Sequence, residues 1–298
     1  MSKNNSPSLL ARFYLYQKQR FPIIFLLIAT FPVVLSSEVV VAQNKAGFLK
    51  ITLILIASLS YFFHIRVTDE YRDFRHDSIY HNDRPVQKGI MPLADLKKLD
   101  IVAAIILLAV AVFSNIYIFV IALVLVAYTF LARKEFFLAE KIRKHFFIYN
   151  AVNLIQMLLL QIFVYSFFFK SFYLNNVIIT HFLFIATGTF LFEFLRKIKT
   201  PQTESSGKDT YSWHLGFGRS ILFYALIVSL NAVLFFVLAA KMSLKLGLWL
   251  PTSLLFVVIL FLYAYLHWIK KSESTDKLLQ ANSLLVYALF NLLIYFLK

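Results

Sequence analysis

The sequence predicts an all-α membrane protein, a bundle of nine transmembrane helices. Of its 298 residues, 60% are hydrophobic and only 15% are charged, which leaves too little polar surface for a soluble domain of this size. Apolar runs long enough to cross a bilayer also recur along the whole chain. They lie at 21–42, 46–66, 99–115, 116–132, 146–168, 176–195, 219–240, 246–267 and 279–297.

The first apolar run follows a basic segment that carries Lys3, Arg12, Lys18 and Arg20. The run is too long for a cleaved signal sequence and has no clear small-residue cleavage site. We therefore predict that it stays in the protein as the first span.

The third and fourth runs form one continuous apolar stretch, in which Ser114-Asn115 is a weak turn signal. As a single helix the stretch from 99 to 132 would have over thirty residues, longer than the roughly 20 that a bilayer requires. Splitting it at this turn gives nine spans, whereas keeping it whole gives eight.

The distribution of basic residues favours nine spans. With the N-terminus inside, only six of the 30 Lys and Arg residues fall in outside segments, which is the asymmetry that the positive-inside rule demands. These six are Lys45, Lys50, Lys170, Lys241, Lys245 and Lys298. Eight spans would invert every segment after the third run and remove the asymmetry. We predict a single domain over 1–298 in the cell inner (plasma) membrane, with a cytoplasmic N-terminus and an outer C-terminus.

Composition and motifs exclude several classes of function. The net charge of +15 is spread over short loops, which cannot build a basic groove for nucleic acid. The absence of cysteine excludes disulfides and thiolate metal sites. No phosphate-binding P-loop, dinucleotide fingerprint or nucleophile elbow occurs. Two longer polar loops, 66–98 and 196–218, both fall on the predicted inner face and are the best places for a site.

Acidic residues concentrate in the first of these loops. Five of the 15 Asp and Glu residues lie within 69–83. Since neither Pro nor Gly occurs between 64 and 77, the second span should continue as a helix beyond the membrane face. Glu70, Asp73 and Asp77 would then form a stripe whose successive members lie about 5–6 Å apart.

Carboxylates at this spacing repel one another, so the stripe needs compensating cations. Hard oxygen ligands in such an arrangement suit Mg²⁺, which binds through carboxylates, water and phosphate oxygens. The alternative is a solvated helix face that is neutralised by nearby arginines, namely Arg66, Arg72 and Arg75.

The acidic segment also resembles a known motif. The run Asp69-Glu70-Tyr71-Arg72-Asp73-Phe74-Arg75-His76-Asp77, followed by Arg84-Pro85-Val86-Gln87-Lys88-Gly89, is similar to the first motif of the UbiA superfamily of intramembrane prenyltransferases. That motif reads N-D-x-x-D-x-x-x-D, then R-P-[LVI]-x-x-G. Asp69 stands at the Asn position and Glu70 at the first Asp position, whereas Asp73 and Asp77 match. The resemblance covers essentially the whole chain and implies a UbiA-like fold.

The second motif of that superfamily, D-x-x-x-D after the sixth span, is degenerate here. Within 193–211, Glu193 can stand for the first carboxylate, but Lys197 occupies the place of the second. A cation at this position favours direct contact with phosphate over a second fully chelated metal. It also leaves open a different diphosphate-bearing substrate or a loss of activity.

The resemblance implies a Mg²⁺-dependent transferase that moves a prenyl group from a polyprenyl diphosphate to a lipophilic acceptor in the membrane. By position in the motifs, the Mg²⁺ ligands would be Asp69, Glu70, Asp73, Asp77 and Glu193, of which Asp73, Asp77 and Glu193 would be catalytic. The candidates for diphosphate binding are Arg66, Arg84, Lys88, Arg196, Lys197 and Lys208.

Other functions remain open at this point. The same acidic helix could serve a terpene cyclase or a phosphoribosyl transferase that acts on a polyprenyl phosphate. A non-catalytic membrane assembly protein is a further alternative, and Lys197 is its main support. A cation transporter would need ionisable residues near the middle of several spans, but Glu38 is the one carboxylate predicted deep in a span. Glu38 could equally lie near the outer end.

Polar residues inside the predicted spans should face the bundle interior, because unpaired amides are costly in lipid. They are Asn150, Asn153, Gln156 and Gln161. The histidines His64, His76, His181 and His214 lack metal-ligand spacing with other histidines and are expected to be structural.

Overall fold

A computed structural model describes residues 7–42, 46–142, 144–169, 174–204 and 206–298. Two of the lysines predicted outside, Lys45 and Lys170, lie outside the described residues. The helices are α1 (Leu9–Arg20), α2 (Ile23–Val41), α3 (Phe48–Arg72), α4 (Phe74–Tyr80), α5 (Leu93–Ser114), α6 (Ile116–Arg133), α7 (Ala139–Ile142), α8 (Phe146–Ser166), α9 (Asn176–Leu195), α10 (Tyr211–Leu215), α11 (Phe217–Lys241), α12 (Trp249–Lys270) and α13 (Glu273–Leu297). A 3-10 turn, Glu135–Phe137, precedes α7.

The long helices in the described ranges coincide with the nine predicted spans: α2, α3, α5, α6, α8, α9, α11, α12 and α13. Eight of them are long and apolar enough to cross a membrane, which makes the chain a multi-pass membrane protein. The ninth, α5, falls short by composition because its first turns carry Asp95, Lys97, Lys98 and Asp100. The predicted count of nine is therefore approximate.

The predicted break between the third and fourth spans is confirmed. Asn115 separates α5 from α6 with an extended backbone (φ −171°, ψ 149°), and its side chain accepts a hydrogen bond from the Tyr117 amide. An Asn side chain in this role satisfies one of the amides that the first turn of a helix leaves open. The weak turn signal thus marks a capped helix start.

Helix α1 was not predicted. Ser8 begins it by accepting a hydrogen bond from the Ala11 amide, and its 12 residues are too few to cross a bilayer. On this helix the side chain of Tyr16 is fully buried, whereas those of Leu10 and Tyr14 are exposed. The helix therefore packs one face against the protein.

The chain forms two compact units, which we describe separately. Unit 1 consists of Met1–Leu27 and Thr52–His145, and unit 2 of Ile28–Ile51 and Phe146–Lys298. The core of unit 1 that lies nearest the acidic segment contains Tyr16, Phe21, Phe63, Val67, Val86, Met91, Leu96 and Ala103. The larger core of unit 2 is built from α2, α9, α11 and α13, with aromatic side chains such as Phe184, Phe235 and Phe290.

Several polar side chains in the spans of unit 2 bond to one another, among them the predicted Gln161, whereas Oε1 of the predicted Gln156 is buried without a hydrogen-bond partner among the described residues. His181 is fully buried; its Nδ1 lies 2.6 Å from the Tyr165 hydroxyl and its Nε2 lies 3.0 Å from Ser36 Oγ. The Gln161 amide donates to Ser37 Oγ at 2.9 Å. Glu38, also buried, accepts from the backbone amide of Ala46 just beyond the end of α2. This contact supports the position near the helix end rather than a role deep in the span.

Candidate functional site

The acidic segment is bent, so the prediction of an uninterrupted helix through Asp77 is wrong. Helix α3 ends at Arg72 and α4 begins at Phe74, with Asp73 between them at φ −94° and ψ 3°. Backbone hydrogen bonds of 2.8 Å from Asp73 to Asp69 and from Asp77 to Asp73 nevertheless bridge the bend. Asp is poorly suited to helix interiors and common at helix starts, which accounts for the position of the break.

Glu70 lies at the centre of the cluster and is fully buried. Its Oε1 accepts from Arg20 Nε at 2.8 Å and from the Tyr16 hydroxyl at 3.4 Å. Arg66 Nη2 lies 3.2 Å from the same oxygen. Two guanidinium groups thus offset the cost of burying this carboxylate.

The other three carboxylates are also paired with arginine. Asp77, whose side chain is 4% exposed, forms an ion pair with Arg84, and Arg20 Nη2 lies 3.8 Å from it. Arg72 lies 2.7 Å from Asp69 and 3.0 Å from Asp73. The arginine neutralisation that the sequence left as an alternative is therefore present through Arg66 and Arg72, whereas Arg75 is exposed.

The sequence did not predict the contribution of α1. Tyr16 and Arg20 reach Glu70 although they lie 54 and 50 residues before it in the chain. Burial raises the pKa of the Tyr16 phenol, and the negative charge of Glu70 raises it further. Burial and the neighbouring charge of Arg66 lower the pKa of Arg20. The signal in the sequence that could have indicated this contact is Arg20 itself, a basic residue at the end of a short helix.

The donor atoms in unit 1 fit a hard cation bound together with an anion. The side chains of Asp69 and Asp73 are 22% and 32% exposed, so their oxygens are accessible. Glu70 Oε2 and Arg66 Nε are buried and have no hydrogen-bond partner among the described residues. Buried polar atoms in this state usually meet a ligand, an ion or water. Carboxylate oxygens are the ligands that Mg²⁺ prefers, and guanidinium groups suit phosphate.

A tight turn places Arg84 against Asp77. The turn is closed by hydrogen bonds from Lys88 to Arg84 at 2.9 Å and from Gly89 to Val86 at 3.0 Å. Gly89 has a φ of +71°, a conformation that favours glycine, which explains the glycine at the end of this motif. Lys88, one of the predicted diphosphate ligands, is exposed on the turn.

His76, for which the sequence predicted no metal-ligand spacing with other histidines, lies close to His81 in the structure. Ligand atoms of His76, Asp77 and His81 all lie within 4.8 Å of one another. This proximity is hard to predict from the sequence because His81 follows the last residue of α4, where the helical hydrogen bonding ends. His64, by contrast, lies 2.8 Å from Asp100.

Unit 2 contains the residues of the second motif. Glu193 lies in the last turn of α9, and its carboxylate accepts from Arg196 at 2.6 Å (Nε) and 2.8 Å (Nη2). Lys197 Nζ lies 3.1 Å from Glu193 Oε1 and donates to the Asn150 side-chain carbonyl on α8. Both oxygens of this carboxylate therefore already meet cationic groups of the chain.

The loop after α9 is held by its own side chains. Glu204 accepts from Thr210 at 2.6 Å and from Ser212 at 2.7 Å, so its role is to order the loop. The Tyr211 amide donates to the Lys197 carbonyl at 2.9 Å. Burial and the charge of Glu193 raise the pKa of the Tyr211 phenol. Lys208 is exposed, with its Nζ 5.7 Å from the centre of the Trp213 ring.

The structure thus gathers the predicted residues into a cluster within each unit. Unit 1 brings together Arg66, Asp69, Glu70, Asp73, Asp77 and Arg84. Unit 2 brings together Glu193, Arg196 and Lys197. The participation of Glu193 in a metal site with the residues of unit 1 stays a prediction.

Comparisons with known proteins identify the fold. No family profile matches the chain, and no curated protein matches it. A solved UbiA homologue from Aeropyrum pernix K1 superposes with a TM-score of 0.66 at 13% identity, covering 88% of this chain and 95% of that one. The chain has the UbiA fold. The fold predicted from the first motif is therefore confirmed.

Two further UbiA structures are similar over a larger share of the chain. A UbiA homologue from Archaeoglobus fulgidus, bound to DMAPP and Mg²⁺, has a TM-score of 0.60 and 13% identity, covering 94% of this chain and 97% of that one. Digeranylgeranylglyceryl phosphate synthase has a TM-score of 0.56 and 17% identity, covering 94% and 99%. The UbiA fold thus accounts for nearly the full length of both partners in each comparison.

Proposed function

We propose that this protein is a Mg²⁺-dependent intramembrane prenyltransferase, which moves a prenyl group from a polyprenyl diphosphate to a lipophilic acceptor in the plasma membrane. The observation that carries the proposal is the cluster of four carboxylates and four arginines in unit 1 of a chain with the UbiA fold. The A. fulgidus homologue with this fold is bound to DMAPP and Mg²⁺, which supports the same class of substrate here.

Asp69, Asp73 and the unpartnered Oε2 of Glu70 would hold the metal. When bound, Mg²⁺ stabilises the negative charge that develops on the departing diphosphate. Asp77, also predicted as a metal ligand, would join them when Arg84 turns to the diphosphate.

The arginines of the cluster would bind the diphosphate. A guanidinium group can donate two parallel hydrogen bonds to phosphate oxygens. Arg20, Arg66 and Arg84 are 14%, 21% and 23% exposed, so each can turn toward a ligand. When the metal and the diphosphate bind, the arginines would exchange their contacts with carboxylates for contacts with phosphate. Every buried charge would keep a partner of opposite charge.

The apolar helices would surround the prenyl chain. Loss of diphosphate leaves an allylic carbocation that water would quench, so the reaction needs a water-poor site. With 60% hydrophobic residues and 33 Phe in the chain, the helices can supply such surroundings. The acceptor would reach the cation from the membrane.

The test is to incubate the purified protein with radiolabelled geranyl, farnesyl or geranylgeranyl diphosphate and Mg²⁺, with and without a membrane extract. A labelled lipophilic product that requires the extract supports transfer. A hydrocarbon formed without the extract indicates a cyclase instead. Unchanged substrate under all conditions, from protein that remains folded, would contradict the proposal and favour a non-catalytic assembly protein.

The metal-binding role is tested by Asp73→Asn. We expect this change to lower Mg²⁺-dependent turnover by at least about 100-fold, the loss typical of removing one contact to a developing charge. Removal of Mg²⁺ with EDTA should abolish turnover in the wild type. Glu273→Gln is the matched control because Glu273 is an exposed carboxylate that pairs with Lys277 on α13. Turnover by Asp73→Asn that equals that of this control would remove Asp73 from the site.

A further inference from the structure

Unit 2 contains a cation whose position is fixed by three segments of the chain. Lys197 follows α9 and contacts Glu193 at 3.1 Å. Its ammonium group donates to Asn150 on α8, and its backbone carbonyl accepts from the Tyr211 amide at 2.9 Å. The side chain is only 15% exposed. An ordinary surface lysine is flexible and well hydrated, so this arrangement sets Lys197 apart.

The partner on α8 is itself held in place. Asn150 is 2% exposed, and its Nδ2 donates to the Phe146 carbonyl at 2.8 Å. This bond orients the amide so that its oxygen faces the ammonium group. The ring of Phe146 lies 5.8 Å from Lys197 Nζ, within the range of a cation–π contact. Asn150 is therefore a positioning residue for Lys197.

The same geometry does not fit a divalent metal. Mg²⁺ requires about six oxygen ligands in near-octahedral geometry. In this cluster both oxygens of Glu193 accept hydrogen bonds from Arg196, and one of them also contacts Lys197. A metal placed on this carboxylate would meet two cations of like charge at close range. This cluster also offers a metal one carboxylate, whereas the cluster in unit 1 offers four, so the described residues of unit 2 fit a second metal poorly.

The helix dipole alone does not explain the cluster. Cations near the C-terminus of a helix are favoured by about 0.3–1 kcal/mol, and Arg196, with a side chain 56% exposed, can supply that contact from solvent. Burying an ammonium group costs free energy unless it is compensated. Glu193 and Asn150 supply this compensation for Lys197, and together they hold its ammonium group in one place with 15% of the side chain still exposed.

We propose that Lys197, positioned by Asn150 and assisted by Arg196, binds phosphate oxygens directly and replaces a divalent metal in unit 2. The inference rests on the proposed function, since the phosphate would be that of the prenyl diphosphate. It predicts that the chain recognises pyrophosphate partly without metal.

The first experiment measures binding of inorganic pyrophosphate to the full-length protein in lipid nanodiscs, by calorimetry in the presence of EDTA. We expect Lys197→Met to weaken binding at least tenfold. Lys277→Met should leave the affinity for pyrophosphate unchanged. Lys277 is 73% exposed, and its partner Glu273 lies four residues before it on α13. Should Lys197→Met fail to fold, Arg196→Met decides the question, since Arg196 is largely exposed and its removal spares the core. Equal affinities for these variants and the wild type would overturn the inference.

The second experiment counts bound Mn²⁺ by electron paramagnetic resonance with saturating pyrophosphate. Lys197→Asp places a carboxylate four residues after Glu193 and removes the ammonium group. We expect this variant to bind one more Mn²⁺ per chain than the wild type. An unchanged number of ions would show that Lys197 does not occupy the place of a metal.

These measurements separate the inference from the proposed function. In one outcome the wild type consumes no prenyl diphosphate, but Lys197→Met still weakens pyrophosphate binding. This result would contradict the transferase and support the phosphate site. In the other outcome the wild type transfers prenyl groups, but Lys197→Met binds pyrophosphate as tightly as the wild type. This result would support the transferase and overturn the phosphate site at Lys197.

Discussion

At the scale of single residues, Glu70 shows how the chain tolerates a fully buried carboxylate. Its Oε1 is contacted by Arg20, Arg66 and Tyr16, whereas its Oε2 has no hydrogen-bond partner among the described residues. A carboxylate in such surroundings is stabilised chiefly by its ion pairs. The proposed function assigns its second oxygen, Oε2, to the metal.

Glu70→Gln should therefore destabilise the protein. The change leaves Arg20 and Arg66 close together without their shared counter-charge. Loss of one partner from a buried ion pair costs about 3–5 kcal/mol, and we expect less here because both arginines are partly exposed. The Tm in detergent, followed by fluorescence, would measure the effect.

The control for this prediction is the same substitution at Glu273, whose side chain is 67% exposed. It should leave the Tm unchanged. If the Tm of Glu70→Gln equals that of the Glu273→Gln control, the three contacts to Glu70 do not stabilise the fold. A double variant with Arg20→Met should recover part of the loss, since it removes one of the stranded charges.

The sequence identified most of these residues and missed others. Asp69, Glu70, Asp73 and Asp77 stand out because they are close together in the chain and match a motif. Arg20 was grouped only with the basic N-terminal segment. Its role depends on how α1 packs against the end of α3, and no pattern local to residue 20 encodes that contact.

At the scale of helices, α9 and α13 of unit 2 approach closely at Gly188. A Cβ atom at Gly188 would lie 2.1 Å from Cε2 of the Tyr287 ring. Small residues at helix contacts allow this proximity in membrane proteins. Tyr287 is buried and has little room to move.

Gly188→Ala should consequently weaken the packing of α9 on α13. Overpacking of a well-packed core costs about 1–3 kcal/mol, so we expect a lower Tm. Gly218→Ala on α11 is the matched control because its Cβ would make an ordinary contact of 3.5 Å with Trp268. Adding Tyr287→Ala to Gly188→Ala should relieve the clash, and a combined loss that is simply additive would contradict this explanation.

The bend at Asp73 is also a feature of helices rather than of single residues. The sequence predicted a continuous helix because no Pro or Gly interrupts it. The carboxylate of Asp73 instead contacts Arg72 at 3.0 Å, and the backbone leaves helical geometry at this residue. Asp73 makes no capping bond to the backbone of α4, so the break does not follow from a local capping pattern in the sequence.

At the scale of the whole molecule, the predicted topology can be tested directly because the chain has no cysteine. Single cysteines replacing Asp83, Lys208 and Lys270 should react with an impermeant maleimide only when it is supplied from the cytoplasmic side. Cysteines replacing Lys245 and Lys298 should react only from the outer side. Four of these positions lie in polar connections or at the C-terminus and Lys270 is the last residue of α12, so substitution should not disturb the helices.

This labelling pattern distinguishes nine spans from eight. If the third and fourth runs crossed the membrane together, Lys208 and Lys270 would be labelled from the outer side, whereas Asp83 would still be labelled from inside. Cysteine at Ser6 provides the reference for the N-terminal side. Reaction of positions 83 and 208 from opposite sides would also contradict the prediction that both polar loops lie on the inner face.

The sequence by itself determined the class of the protein, the position of its spans and the segments that carry charge. These properties follow from hydrophobicity and turn signals, which are local along the chain and act through the lipid solvent. Only the tertiary structure decided that Arg20 and Tyr16 meet Glu70, that the acidic helix bends at Asp73, and that Asn150 holds Lys197. Such pairings join residues far apart in sequence, and their free energy depends on how packed helices bury charge, which no local pattern records.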